Sequence, residues 1–179
     1  MNRFLFRKWL IDNYNKANEC WVFLKTGVPK NDGEFYYLDA VEEALCFGWI
    51  DGVKKKVDGK YCQRFTPRRK TSFFSELNKA RCRRLENLGL MTEPGRVALK
   101  QAKLFIIDDD IKNIIIKHNI EDILQTLPPL YVRIKISNIQ RERCKTDLFK
   151  KMLNNFIDKT KKRELYGNWN DYGRITDYS

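Results

Sequence analysis

Residues 42–65 read EEALCFGWIDGVKKKVDGKYCQRF, and two periodicities meet in them. On the N-terminal side Leu38, Val41, Leu45 and Trp49 recur at helical spacing, with Ala44 and Gly48 small enough for close packing beside them. Asp39, three residues before Glu42, has the form of a capping box for that helix. On the C-terminal side VKKKV and KYCQRF flank Asp58-Gly59, a two-residue turn signal that predicts a β-hairpin over 53–66. A helix running into a hairpin places a small antiparallel sheet beside helices, so the fold class is α+β. Asp51 stands at the seam. A carboxylate between a buried helix and a cationic hairpin asks for a partner.

The rest of the chain extends this pattern. Phe6, Trp9, Leu10 and Tyr14 predict a first helix over 4–16. CWVFLKT, 20–26, is β-branched and aromatic, and Gly27 and Pro29 end it as a strand. TPRRKTS is an extended connector, because Pro67 biases Thr66 away from helical geometry. Ser72 or Ser75 can cap a helix that runs to about Leu88 and stops at Gly89. Thr92-Glu93-Pro94 opens another helix, with Val97, Leu99 and Leu104 expected inward. Asp108, Asp109 and Asp110 suit the N-terminus of a short helix ending near His118. Leu127-Pro128-Pro129 breaks the chain and starts a helix. A last helix over about 143–164 carries Leu148, Met152, Leu153, Phe156 and Ile157 as its inner stripe. The expected organisation is an α+β domain over 1–107, mostly helical, with a strand and a hairpin packed on helices. A helical region over 108–165 and a polar, aromatic tail over 166–179 follow it.

Composition bounds the function. With 42% apolar and 13% aromatic residues among 179, the chain can build a real core, which excludes a disordered protein. No apolar run approaches the roughly 20 residues of a membrane span. MNRFLFRKWL lacks a signal-peptide h-region and a small-residue cleavage site, so the expected location is cytoplasmic. Five cysteines without a CxxC pair read as reduced, mostly buried thiols. A single histidine, His118, leaves no basis for a zinc site, and no cofactor is expected. The net charge of +12 is concentrated: residues 52–84 hold 12 Lys/Arg against 2 Asp/Glu. So local an excess points to an anionic partner, either a small molecule, an acidic protein surface or nucleic acid.

The helix after Ser75 sharpens that expectation. At 100° per residue Phe74, Leu77, Leu85 and Leu88 fall within about 80° of each other, and Arg81 falls in their midst with Asn78 at the edge. An arginine aimed at a core must be paired or line a wet cavity. Its fork of donors suits a carboxylate or a phosphate. Asp51 and Glu42, the latter at the rim of its helix, are candidate partners for Arg81, and Asp51 is the expected counter-charge for Arg81, Arg64 or Arg68.

The same residues carry a family resemblance. ALCFGWIDG at 44–52, RFTPRRKTSFFSELNKAR at 64–81 and LGLMTEPG at 88–95 resemble the YdeI/OmpD-associated proteins. Those read EALCFGWIDG, a hairpin ending RFTPRR, then SxWSxxN and GxMTPAG. The likeness spans about residues 4–105. It departs at Phe74, where the family has tryptophan, and after Leu127-Pro128-Pro129 and Tyr131, where few further positions match. The resemblance implies an α+β domain with a helical C-terminal part. It also implies association with an outer-membrane porin and protection against cationic peptides and bacteriocins. A shared site would be built from Trp49, Asp51, Arg64, Thr66, Arg68, Arg69, Ser72, Ser75 and Asn78.

Two binding readings and one protective reading follow. In the first, Arg64, Arg68, Arg69 and Arg81 supply charged donors to a small anion. Thr66, Ser72, Ser75 and Asn78 supply neutral donors, and Trp49 a wall. In the second, Lys54, Lys55, Lys56, Lys60, Arg68, Arg69 and Lys70 track a phosphate backbone while Tyr61, Phe65 and Phe73 stack on bases. In the third, the basic surface meets an acidic protein or envelope surface as a stress-protection module. Catalysis is the weakest reading. No nucleophile–base pair and no phosphate loop is visible. Cys46 beside Phe47 reads as inert packing. Glu42 and Glu43, being adjacent, point to different helix faces and form no acid/base pair.

Overall fold

The computed structural model describes residues 1–176. The chain folds as two compact units: Met1–Phe74 with Arg81–Ala102, and Ser75–Ala80 with the chain from Lys103 onward. The first unit holds α1 (Arg3–Asn13), β1 (Cys20–Phe23), α2 (Tyr37–Cys46), β2 (Trp49–Val57), β3 (Lys60–Pro67) and α4 (Glu93–Lys100). The second holds α5 (Asp109–Lys117), α6 (Glu121–Thr126), α7 (Pro129–Arg141) and α8 (Thr146–Lys161). Helix α3 (Glu76–Asn87) gives its first residues to the second unit and the remainder to the first. The α+β class expected from the hairpin and the helical periodicities is the class observed.

The sheet is antiparallel in the order β1-β3-β2. Asp58 and Gly59 both adopt positive φ, 47° and 76°, as a primed two-residue turn requires. The register opposes Cys20 to Phe65 and Phe65 to Asp51, so these side chains share one face with Trp49. That face meets α1 and α2: Phe6, Leu10, Leu38, Val41, Leu45, Trp49 and Phe65 are all buried. Phe65 packs 5.3 Å from Phe6, ring to ring. The ladder slips between Asp51 and Lys54. Buried Gln63 fills the irregularity, its side-chain amide donating to the carbonyls of Gly52 at 2.9 Å and Val53 at 3.2 Å. A bulge of this kind re-aims nearby side chains, and Asp51 is the one at its edge.

The helix before the sheet departs from expectation at both ends. It begins at Tyr37 with no side-chain cap, and Asp39 lies in its first turn, so there is no capping box. It ends at Cys46, and Trp49 belongs to β2. Gly48 is the reason. Its φ of 71° breaks the helix, and a Cβ there would come within 2.9 Å of the Pro94 carbonyl. Gly95 lies as close on the other side, where a Cβ would run into the carbonyl of Cys46. The end of α2 and the start of α4 thus cross almost backbone to backbone. Gly95 is the buried position of α4, while Val97 and Leu104 are exposed, contrary to the inward placing expected of them.

In the second unit Ile111, Ile115, Leu130, Ile134, Ile139, Leu153, Phe156 and Ile157 form the core. Leu148, expected in the α8 stripe, is exposed. Arg143 draws Asp108 and Asp110 to itself; Asp108 makes no side-chain cap bond to α5, while Asp110 also accepts the Ile111 N–H of the first turn at 2.9 Å. The described part of the tail, 166–176, packs inward, burying Trp169 and Ile175. Residues 177–179 of the tail lie outside the described residues. No helix among the described residues is long and apolar enough to cross a membrane.

Candidate functional site

The seam that opened the sequence question is closed by three residues from three segments. Tyr37 comes from the first turn of α2, Asp51 from the bulged end of β2, and Arg68 from the residue after β3. Tyr37 donates its hydroxyl to Asp51 Oδ2 at 2.7 Å. Arg68 is fixed by its backbone, whose N–H donates to the Gly48 carbonyl at 2.9 Å, one step beyond the Trp49–Pro67 pair. Its guanidinium lies 4.0 Å from the Phe74 ring centre, and Nη1 donates to the Phe73 carbonyl at 2.9 Å. The loop 68–74 therefore folds back over its own first side chain.

The remaining edge of Arg68 has no acceptor. Nε and Nη2 are shielded from solvent and make no hydrogen bond. These two N–H groups form one side of the guanidinium fork, the side that grips a carboxylate or phosphate with two parallel bonds. Burial lowers the pKa of Arg68, opposed through space by the Cys82 thiol and the Asp51 carboxylate. An unpaired buried donor costs about 1–3 kcal/mol, and more when it is charged. The expected Asp51–arginine pair is thus an electrostatic neighbourhood without a hydrogen bond to Arg68.

The other residues named from sequence are dispersed. Trp49 is a core side chain, its indole N–H donating to the Tyr14 carbonyl at 3.1 Å, and it is closed to a ligand. Arg64 and Thr66 alternate with Phe65 and so lie on the sheet face away from Trp49 and Asp51. There Arg64 pairs with Glu19 at 2.6 Å. Arg69 is exposed on the loop, and its backbone N–H donates to Ser72 Oγ at 3.2 Å. Ser75 caps α3, accepting from the Asn78 N–H at 3.2 Å, and both belong to the second unit. Arg81 is half-buried, but not in one apolar stripe. Phe74 and Leu85 enter the first core, Leu77 packs on the second, and Leu88 is exposed. A single wheel merged two faces that serve two units.

Two arrangements escaped the sequence reading. Glu42 and Glu43 are both buried, where adjacency suggested different faces and a rim position for Glu42. Arg3 reaches Glu43 at 2.6 Å and Glu42 at 3.0 Å; Arg7 takes Glu43 at 2.7 Å and Arg84 takes Glu42 at 2.9 Å. The signal was present as matched charge rows: Arg3 and Arg7 four apart on one helix, Asp39 and Glu43 four apart on another. The second is Lys135, which lies against the rings of Tyr166 and Tyr131 at 3.6 and 5.3 Å. The wheel test applied to Arg81 would have found it, since Tyr131 and Lys135 are four apart on α7 among buried isoleucines. Cys46, by contrast, behaves as read. Burial first, and Glu43 second, push its thiol up to about 11.

Residues 2–98 match the sequence pattern of DUF8412, described as a domain of unknown function, and this covers more than half of the chain. The chain belongs to the DUF8412 family. No curated protein and no solved structure matches it. The family assignment overturns the resemblance to the YdeI/OmpD-associated proteins, to which nothing links this chain. The porin association and the protection against peptides and bacteriocins were implied by that resemblance alone, and they fall with it. The DUF8412 match takes in Tyr37, Asp51 and Arg68 together.

Proposed function

We propose that this DUF8412 protein binds a small anion through Arg68 and performs no chemistry on it. The observation that carries the reading is the buried Nε–Nη2 edge of Arg68, two parallel donors without an acceptor. Phe74 holds the plane of the guanidinium and the Phe73 carbonyl holds its third nitrogen, so the fork is oriented in advance. Exposed Arg69 and Lys70 on the same loop add charge that draws an anion in. Binding requires the loop 69–73 to yield, since the edge is shielded. A cytoplasmic location accompanies the proposal and is supported by five free thiols. The test is thermal unfolding with inorganic phosphate, sulfate and small carboxylates. One of them should raise the melting temperature of the native protein in a saturable way and leave Arg68→Gln unchanged. Equal shifts in both proteins refute the reading.

Nucleic acid is the second reading. It is supported by Lys54, Lys55, Lys56 and Lys60, exposed on one hairpin. Against it, Phe65 is buried in the core. Lys54 and Lys55 also lie over Tyr61 and Trp21, at 4.3 and 4.1 Å, where bases would stack. A steep fall in affinity for single-stranded oligonucleotides with added salt, lost on neutralising the four lysines, would favour this reading.

A further inference from the structure

We infer that the second unit has its own ligand site, a cleft beside Lys135 that takes a small organic carboxylate with an apolar body. The cleft encloses about 320 Å3, at the lower end of the range for small-molecule pockets. Ile134 and Trp169 form apolar wall, and Asn138 and Asn168 are neutral polar groups beside it. The lining also includes Arg141, which pairs with Glu142 at 3.2 Å. Among the described residues no carboxylate lines the cleft and none pairs with Lys135.

Lys135 is the decisive residue. Its ammonium is held between the rings of Tyr131 and Tyr166. Gly167 closes over it, so that a Cβ there would stand 3.0 Å from Nζ. Ring faces attract a cation but do not neutralise it. Lys135 is part of the lining, so the cleft has one uncompensated positive charge at its wall. A monoanion balances it, whereas a dianionic phosphate would leave a second charge against apolar wall. The apolar side of the cleft then selects a carboxylate that brings a ring or a branched chain. Burial lowers the pKa of Lys135 to about 8, as expected of an ammonium lacking a counter-ion.

The test is a titration of the 15N-labelled full chain with acetate, benzoate and inorganic phosphate, followed by amide shifts. Benzoate should bind saturably and move the amides of Ile134, Lys135, Asn138 and Trp169, with acetate weaker. Lys135→Met should weaken benzoate by tenfold or more while keeping the dispersion of a folded spectrum. Arg68→Gln, which removes the anion site of the first unit, should leave benzoate binding at this cleft unchanged. The inference is overturned if Lys135→Met binds benzoate as well as the native chain, or if the shifts map elsewhere. It is also overturned if phosphate saturates the cleft in preference to benzoate, or if neither carboxylate saturates by about 10 mM, beyond the weak edge of specific binding.

Discussion

Two charged regions, one in each unit, are held in opposite ways. In the first, Glu42 and Glu43 lie inside α2, and three arginines converge on them within 3.0 Å. In the second, half-buried Lys135 lies against two tyrosine rings and pairs with no carboxylate among the described residues, although buried Glu76 of the same unit is paired with Lys79 at 2.6 Å. Water is withdrawn from the two glutamates and in part from Lys135, and only the glutamates gain opposite charge in its place. A matched buried cluster resists removal of any one member. A cation held by rings carries a standing penalty. Arg68 belongs with Lys135 on this scale although it lies in the first unit: Phe74 faces it and one edge is unbonded.

The comparison is broken most directly by Glu43→Gln. That change leaves Arg7 and part of Arg3 without their charge, and unfolding in urea should show a loss of about 3–5 kcal/mol. Lys135→Met should do the reverse. Removing an unpaired, half-buried cation in favour of a chain of similar shape should leave stability unchanged or raise it by about 1 kcal/mol. A loss as large as that of Glu43→Gln would erase the distinction between the two regions.

A pH series sharpens it. The pKa of Lys135 lies below its ordinary 10.5, at about 8. Between those values the unfolded chain holds a proton that the folded chain has released, so this lysine makes stability rise with pH across that window. The thiols of Cys20, Cys46 and Cys82 work the other way. Burial raises them from 9.0 to about 11, 11 and 12. Their contribution is full below 9.0 and is lost as pH climbs towards those values. The difference between native and Lys135→Met unfolding curves isolates the lysine. It should narrow as pH rises from about 8, and a constant difference would place Lys135 in water.

Smaller effects test the Arg68 neighbourhood. Asp51→Asn retains an acceptor for Tyr37, so the stability loss should be about 1 kcal/mol or less. The same change removes a competing negative charge beside Arg68, and phosphate affinity should rise a few-fold. Glu19→Gln breaks only an exposed pair with Arg64 and should change stability by no more than about 0.5 kcal/mol.

Local signals were legible in the sequence and non-local ones were not. Asp58-Gly59 set the hairpin, Ser75 capped α3, and Leu153, Phe156 and Ile157 faced inward on α8, each within one turn or one helix. The end of α2 was hidden because Phe47, Trp49 and Ile50 continue the apolar run past Gly48, whose backbone breaks the helix beneath it. The partners of Glu42 and Glu43 come from α1 and α3, 40 residues away in sequence for Arg3 and 42 for Arg84. The arginine face of α3 was misplaced because a helix that serves two cores has two apolar stripes. Of the three arginines expected to pair with Asp51, Arg68 feels its charge through space but makes no hydrogen bond to it. The unbonded edge of Arg68 depends on the path of a loop and has no sequence signature.

That edge is what a first experiment should observe. Arginine side-chain 1H–15N spectra, recorded while inorganic phosphate, sulfate and small carboxylates are added in turn, report on Nε of Arg68 directly. The expected result is a saturable downfield shift of the Arg68 Nε–H with one of these anions, stronger in Asp51→Asn and missing in Arg68→Lys. An Arg68 signal that stays fixed with every anion, while the other arginines respond only as exposed charges do, would contradict anion binding at this position.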